Sequence, residues 1–373
     1  MSRKTFLILT ISAVLLAVLC FNDANAARER KRMRTRMGTR MPTQKTQPLQ
    51  VVTTLSDYAV LAQAIGGERV VTDSIVHSVQ DPHHIRPKPS FVNMVMHADV
   101  LIATGLDLEL WMPTVVNRSG NKHVRSGETG YVAVSQGIEL IEKPQVISQI
   151  EGDVHVFGNP HITTSPINAR QVAWNIATGL IKNDAQGKTF YEENLKKLQD
   201  EMDKRLFGEE LVKLLGGETL CSLAEQDKLI DFLKENKLQG KPLIDKLDGW
   251  MKKMLPLRGA SVVTYHKNWG YFLKLFGLEE AATIESKPGI PPSAKHVTNL
   301  VKMMHDDNIR IILAANYFDE NKVRTVANRT GAEAVVVPLF VGGAPGIENY
   351  FQLVDYWING LLKAAKNTGL VSE

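Results

Sequence analysis

One pattern of short β-branched runs followed by helical periods occurs twice in this chain, at a constant spacing of 211 residues. Residues 51–53 (VVT) repeat as residues 262–264 (VVT), and in the same register residues 100–102 (VLI) correspond to residues 311–313 (IIL). Apolar periodicity alone can produce one such match, but two matches in one register indicate an internal duplication. The sequence therefore predicts two similar lobes.

Each lobe is expected to be an α/β structure, because strand-like runs alternate with helical periods from residue 49 onward. Such alternation is typical of a parallel-type β-sheet flanked by helices. Pro166 suits the first turn of a long connector helix between the lobes, since proline is favoured at that position. The predicted organisation is an N-terminal lobe at 48–165, a connector helix at 166–206, a helical insertion at 207–259 and a C-terminal lobe at 260–373.

The N-terminus has the features of an export signal. Two basic residues precede an apolar run at 6–19, which is short for a membrane span, and residues 24–26 (ANA) match a small-x-small cleavage site. Residues 1–26 are therefore predicted to be a signal peptide that directs the chain to the periplasm. A retained membrane anchor is the alternative, and lipidation at Cys20 is a weaker one, because a leucine precedes it.

Composition and charge narrow the classes of function. The 373 residues are 44% hydrophobic and 23% charged, as in ordinary globular proteins. The net charge is +4, but residues 27–45 hold eight Lys or Arg against one acid, so the rest of the mature chain is mildly acidic. Residues 27–47 are predicted to be a basic disordered arm, and the acidic body does not favour nucleic acid as a partner. Cys221 alone remains after removal of the leader, so no intramolecular disulfide is expected.

Three of the ten histidines lie in loops where a ligand site is expected. His83 lies in a proline-rich loop between a predicted strand and a predicted helix. His161 lies just before the predicted connector helix, and His266 follows the predicted strand at 262–264. Ligands bind at the carboxyl ends of the strands in open parallel sheets. Two lobes that face each other through these ends would offer all three imidazoles to one cleft.

Three neutral imidazoles suit zinc, which accepts histidine nitrogen in tetrahedral sites, whereas manganese prefers more oxygen donors. The intervals between the three histidines, 78 and 105 residues, match no local metal-binding motif. Three unrelated loop histidines therefore remain the alternative to a shared metal site.

Several short motifs occur in an order that points to a known family. They are DPH at 81–83 followed by Pro87, Pro89 and Ser90, NPH at 159–161, GYF at 270–272 and GLE at 277–279 after His266, KPGIPPS at 287–293, and TGA at 330–332 before a valine run. Over roughly residues 48–370, this ordered set resembles the periplasmic solute-binding proteins of zinc and manganese ABC importers, the ZnuA/TroA type.

The resemblance implies two α/β lobes joined by one long helix, with a metal site in the cleft between the lobes. It also implies a monomer that captures a divalent metal ion, delivers it to the membrane permease of an ABC transporter and catalyses no reaction. Carried over to this sequence, the first three ligands are His83, His161 and His266. Manganese members tend to have carboxylates in place of some of these histidines, so the set favours zinc over manganese.

The fourth ligand is where this sequence departs from the family. The family usually has an aspartate after the last strand, but residues 335–339 here read VVVPL and contain no acid. The candidates are Glu285 near the end of a second-lobe strand, His155 in the loop before His161, and a water molecule. We expect Glu285, by a small margin.

Two other functions are compatible with these features. One is a metal-binding adhesin of the same fold, which the basic arm would favour. The other is a zinc hydrolase, because three histidines and an open fourth position also occur in catalytic zinc sites. A hydrolase needs a general base beside the metal-bound water, and Glu285 is the only plausible one in this sequence.

Overall fold

The computed structural model describes residues 47–144 and 155–371. The predicted signal peptide, nearly all of the predicted basic arm and the segment 145–154 lie outside the described residues. From Pro48 onward the chain belongs to one unit, within which the two lobes can be compared.

The first lobe is built on a four-stranded parallel sheet with the strand order β2-β1-β3-β4. Its strands are β1 (Leu49–Thr53), β2 (Val70–Ser74), β3 (Val100–Ala103) and β4 (Tyr131–Ala133). All four residues of the central strand β3 are buried. Continuous apolar runs of this kind are expected where both faces of a parallel sheet are covered.

The second lobe repeats this sheet. A two-stranded antiparallel hairpin, β5 (Lys237–Leu238) and β6 (Lys241–Pro242), precedes it. The sheet itself consists of β7 (Ser261–Thr264), β8 (Glu279–Thr283), β9 (Ile311–Ala315) and β10 (Glu333–Val337). Its parallel strands follow the order β8-β7-β9-β10, the same connectivity as in the first lobe. The prediction of two similar α/β lobes is therefore confirmed.

Helices cover the sheets and fill the middle of the chain. In the described residues they are α1 (Ser56–Gly66), α2 (Pro89–Met96), α3 (Met112–Ser119), α4 (Pro166–Asn183), α5 (Lys188–Phe207), α6 (Glu209–Leu215), α7 (Gly217–Glu225), α8 (Leu229–Glu235), α9 (Gly249–Met254), α10 (Gly270–Phe276), α11 (Ala294–Asp306), α12 (Glu320–Thr330) and α13 (Tyr350–Asn367). Local sequence sets several helix starts. Ser165 accepts a hydrogen bond from Asn168 N ahead of α4, and Asn349 forms a capping box with Gln352 ahead of α13.

The segment 166–206, expected to be one connector helix, instead forms the two helices α4 and α5. A short 3-10 turn follows Asp184, whose carboxylate pairs with Arg69 at 2.6 Å. The two helices fold back on each other, since Gln199 late in α5 donates to the carbonyl of Arg170 early in α4. The helical period of apolar residues continues through both helices. The sequence pattern of this hairpin therefore differs from that of one long helix only at the turn.

One apolar core extends through both lobes. It includes the buried strands β1 and β3 of the first sheet and Ile311 and Leu313 of the second. Trp357 of α13 packs edge-on against Trp269 and Phe272, with ring centroids 5.3 and 5.9 Å apart. A smaller cluster covers the other face of the second sheet. None of the described helices combines the length and apolar character that a membrane span requires.

Asp57, at the start of α1, connects the two lobes. Its carboxylate is completely buried and accepts hydrogen bonds from Val341 N in the second lobe and from the Thr163 hydroxyl, both at 2.9 Å. Tyr350 in α13 donates to the carbonyl of Thr163 at 2.6 Å. No cation pairs with this carboxylate among the described residues, and burial raises the pKa of Asp57 to about 6.

Asp57→Asn should make the protein more stable than the parent at pH 7.5, and this advantage should shrink at pH 5. The folded pKa of Asp57 lies above the unfolded value of about 3.9, so its contribution to stability is present at low pH and is lost as the pH rises through 6. The asparagine can still accept from Val341 N and can donate to Thr163. Urea unfolding of both proteins at the two pH values measures the difference.

Asp57→Leu serves as the control, because leucine can make neither hydrogen bond. We expect it to lower the free energy of unfolding by about 2 kcal/mol at pH 7.5. An asparagine variant as unstable as the leucine variant at that pH would contradict the interpretation.

Candidate metal centre

His83 is held in a 3-10 turn, Pro82–His84, that follows β2 of the first lobe. Asp81 begins this turn, and its carboxylate accepts a hydrogen bond from His83 N at 3.0 Å. Proline suits the first position because its missing N–H is not needed there. The same carboxylate oxygen lies 2.6 Å from Nδ1 of His83, so Asp81 orients both the backbone and the ring.

His161 lies in the segment between β4 and α4, where Asn159 fixes the backbone. The Asn159 side chain accepts from His161 N at 2.9 Å and donates to the carbonyl of Lys267 in the second lobe at 2.7 Å. Tyr271 donates to the Asn159 carbonyl at 2.7 Å. These contacts tie the loop that carries His161 to the loop that carries His266. The preceding Gly158 has a φ of 113°, a conformation that favours glycine.

His266 leaves the carboxyl end of β7, and its ring is buried. Its Nδ1 lies 2.9 Å from Glu285 Oε2, and the same carboxylate oxygen accepts from Gly289 N at 3.2 Å. His155 lies in the first lobe, and its Nδ1 is 3.2 Å from Asp107 Oδ1. Asp107 also accepts from Val156 N at 2.7 Å, which holds this loop against the 3-10 turn at Asp107–Glu109.

Four histidines meet at one point. One ring nitrogen from each of His83, His155, His161 and His266 lies within 4.8 Å of the corresponding nitrogen of every other. We call this group the imidazole cluster. It contains His83, His161 and His266, together with His155, which the sequence offers as an alternative fourth ligand. Among the described residues it is the one group of histidine, cysteine and carboxylate side chains close enough to hold a metal ion.

Carboxylates on the outside of the cluster turn its rings inward. Asp81, Asp107 and Glu285 each contact the Nδ1 of one histidine, which leaves the Nε2 atoms to face the interior. Metal-binding histidines typically have such a carboxylate partner, which fixes the ring orientation and makes the ligating nitrogen more basic. The Asp107 pairing has no signal in the sequence, because Asp107 and His155 are 48 residues apart.

The inward nitrogens lack protein partners. Nε2 of His161 and Nε2 of His266 are buried with no hydrogen bond from the described residues. Nε2 of His83 lies 3.1 Å from Nε2 of His155. A buried polar atom without a partner costs about 1–3 kcal/mol. A bound cation would satisfy all four nitrogens at once.

Burial disfavours the charged form of two of the four imidazoles, those of His161 and His83. It lowers the pKa of His161 well below its usual value, and the neighbouring histidines lower it further. Burial also lowers the pKa of His83, although Asp81 opposes this effect. Neutral imidazole is the form that binds a metal ion. These two histidines are therefore in the metal-binding form near neutral pH.

Glu285, the expected fourth ligand, lies outside the group of mutually close ligand atoms, and its Oε2 contacts His266 instead. It follows β8 by two residues, and Glu285 N donates to the Tyr265 carbonyl, which aligns it with the loop that carries His266. A cavity of about 410 Å³ opens beside the cluster, between His155 and His266. Lys267 and Lys287 are among the residues that line it.

A two-lobed α/β protein with buried imidazoles at the carboxyl ends of its parallel strands has the architecture of a metal-binding solute-binding protein. A family model agrees: the model described as ZnuA, zinc-uptake complex component A, periplasmic, matches residues 51–205 and 222–364. The chain therefore belongs to the ZnuA family. This family consists of substrate-binding proteins of ABC importers, which are not enzymes, so the hydrolase alternative is wrong.

Individual relatives are distant but span most of the chain. The manganese ABC transporter substrate-binding lipoprotein PsaA of Streptococcus mitis is 24% identical over 318 residues, 83% of this chain and 87% of PsaA. The high-affinity zinc uptake system protein ZnuA of Bacillus subtilis is 24% identical over 306 residues, 80% of each chain. A crystal structure of a ZnuA deletion mutant with zinc bound superposes with a TM-score of 0.62 at 18% identity, covering 85% of this chain and 98% of that one.

The metal-free protein should become less stable as the pH falls from 7.5 to 5.5. The unfolded chain binds protons at its histidines near pH 6.5, whereas the folded chain resists protonation of His161 and His83, so unfolding is favoured as the pH falls. His161→Gln should make this dependence shallower. Thermal unfolding in the presence of a chelator measures it.

His97→Gln is the control for this experiment, because His97 is exposed at the end of α2. It should leave the pH dependence of the melting temperature unchanged. A His161→Gln variant with the same pH dependence as the parent would show that the buried imidazole does not resist protonation.

Proposed function

We propose that this protein captures one divalent metal ion, zinc in preference to manganese, and delivers it to the membrane permease of an ABC importer. The observation that carries the proposal is the imidazole cluster, in which four ring nitrogens lie within 4.8 Å of one another. Binding proteins for metal ABC importers are the class to which the family belongs. The choice of zinc and the delivery to a permease are what we propose for this protein in particular.

The donor set favours zinc. Zinc binds histidine nitrogen at about 2.0–2.1 Å in four-coordinate tetrahedral sites. Manganese is suited to carboxylate, carbonyl and water oxygens. No carboxylate oxygen belongs to the group of mutually close ligand atoms in the described residues, so the donors are nitrogen alone. The three outer carboxylates balance the charge of the ion without displacing a nitrogen.

We assign the fourth ligand to His155 rather than to Glu285. His155 has the same arrangement as its neighbours, with Nδ1 on a carboxylate and Nε2 toward His83. Glu285 is occupied with His266 Nδ1 and Gly289 N. In this assignment Glu285 orients His266, as Asp81 orients His83. The first lobe then supplies three ligands and the second lobe one.

The remaining parts of the chain fit export and delivery. We propose that residues 1–26 act as a signal peptide and that the mature protein works as a monomer outside the cytoplasm. The manganese relative PsaA is named as a substrate-binding lipoprotein of an ABC transporter, which supports a location outside the cytoplasm. An adhesin role is less well supported, because the named relatives above are transporter components.

Alanine replacement of a cluster histidine tests the ligand set. His83→Ala, His155→Ala, His161→Ala and His266→Ala should each weaken zinc binding by about tenfold to a thousandfold, since each removes a direct donor. Glu285→Gln should weaken it by about tenfold, as expected for a residue that orients a ligand. Competition with a fluorescent zinc chelator at pH 7.5 measures the affinities.

His84→Ala provides a matched control, because His84 neighbours His83 but its side chain is largely exposed. It should leave zinc affinity unchanged. A large loss for Glu285→Gln together with no loss for His155→Ala would reassign the fourth ligand to Glu285. Unchanged affinity in a variant lacking His83, His161 and His266 would overturn the site itself.

Metal selectivity is tested on protein that has been stripped of metal and reloaded. We expect one zinc ion per chain, and we expect equimolar manganese to leave that zinc in place, because all four donors are nitrogen. Elemental analysis after desalting gives the stoichiometry. Manganese retained at one ion per chain in the presence of equal zinc would overturn the zinc assignment while leaving the metal-capture function standing.

A further inference from the structure

We propose that a second ligand site, separate from the imidazole cluster, lies between α4, α5 and α7 and binds a neutral saccharide. The site is a cavity of about 480 Å³. It is lined by residues of α4, by Gln199 of α5, by residues of α7 and by Gly137 and Ile138 after β4. None of the four histidines lines it.

Part of α7 lies outside the segments that match the family model. Residues 206–221 lie between the two segments that the family model matches. They contain α6 and the first half of α7, including Glu218 and Cys221 of the cavity lining. The four histidines lie within the matched segments, whereas two of the residues that line this cavity, Glu218 and Cys221, lie outside them.

Ion pairs connect the helices that line the cavity. Arg170 of α4 contacts Asp203 of α5 at 3.0 Å and also pairs with Glu218 of α7. Asp203 is buried, and the Cys221 thiol lies 3.7 Å from its carboxylate. This ion-pair network links all three helices that surround the cavity. A site held in this way loses little conformational entropy when it binds a ligand.

Two groups in the cavity are left for a ligand. Asn168 is about nine-tenths buried and lines the cavity, and its Nδ2 has no hydrogen-bond partner among the described residues. Trp174 lies one helical turn beyond Arg170 and is 51% exposed, which is unusual for an indole. Trp174 also lines an adjacent cavity of about 340 Å³, so the two cavities continue past one aromatic face.

The lining selects the class of ligand. Arg170 is neutralised by two carboxylates and Glu225 adds a further negative charge, so an anion is not favoured. The described carboxylates here do not form a metal-binding group, which argues against an inorganic cation. A single indole does not make the aromatic cage that an organic cation prefers. An unpaired amide donor, carboxylate and amide acceptors and an aromatic face together suit the hydroxyls and C–H face of a sugar ring.

Saturation-transfer NMR on the zinc-loaded protein tests the proposal with four probes: glucose, maltose, N-acetylglucosamine and its β1,4-linked disaccharide. We expect saturable binding of at least one probe. Trp174→Ala should weaken that binding by about tenfold, and Trp174→Phe should restore part of it. Asn168→Ala should weaken it as well. Zinc affinity should be unchanged in all three variants, which shows that they fold and separates this site from the metal site.

Tyr356→Ala is the matched control, because Tyr356 is a comparably exposed aromatic residue that lines a different cavity. It should not alter sugar binding. Cosedimentation with insoluble amylose and chitin distinguishes a free sugar from the end of a polymer as the source of the ligand. The proposal is overturned if no probe binds saturably and neither polymer retains the protein. Binding that is unchanged by Trp174→Ala overturns it equally.

Discussion

The pairing of carboxylates with the outer nitrogens of buried imidazoles is the interaction on which the metal centre depends. Asp81, Asp107 and Glu285 each hold one ring by Nδ1 and direct its other nitrogen inward. Without these contacts the rings could rotate, and the cluster would lose its convergence. Desolvation lowers the pKa of His161 and so favours its neutral form, which can lie beside the neighbouring rings without charge repulsion. The resulting nitrogen donors lie within 4.8 Å of one another.

Duplication of the lobe provides the framework for this centre, but the two lobes contribute unequally. The two sheets have the same strand order, and His83 after β2 and His266 after β7 meet in the imidazole cluster. The first lobe contributes three histidines and the second lobe one histidine with its carboxylate partner. Contacts that cross between the lobes therefore control the geometry of the cluster. Two such contacts are the hydrogen bond from the Asn159 side chain to the Lys267 carbonyl and the hydrogen bond from Val341 N to the Asp57 carboxylate.

Much of the fold could be predicted from local patterns, whereas the contacts that orient the histidines of the site could not. Val–Val–Thr runs and their helical successors gave the strands and the repeat, because the periods of strands and helices are properties of short segments. His266 was predicted to leave a strand end for the same reason. The pairing of Asp107 with His155 joins residues 48 apart in the chain, and no local period records it. The turn after Asp184 could likewise not be predicted from the sequence, because the helical pattern continues on both sides of it.

The sequence by itself determined the α/β class and the two similar lobes, and it predicted His83, His161 and His266 as ligands with Glu285 or His155 as the fourth. These predictions follow from apolar periodicity, from the constant spacing of 211 residues between matching segments, and from a set of short motifs whose order rarely arises by chance. Only the tertiary structure decided that His155 joins the cluster, while Glu285 contacts the outer nitrogen, Nδ1, of His266. Which side chain reaches a common point depends on loop paths and ring orientations. Those are set by packing between distant segments, and distances of a few ångströms between such segments are not encoded in any local pattern.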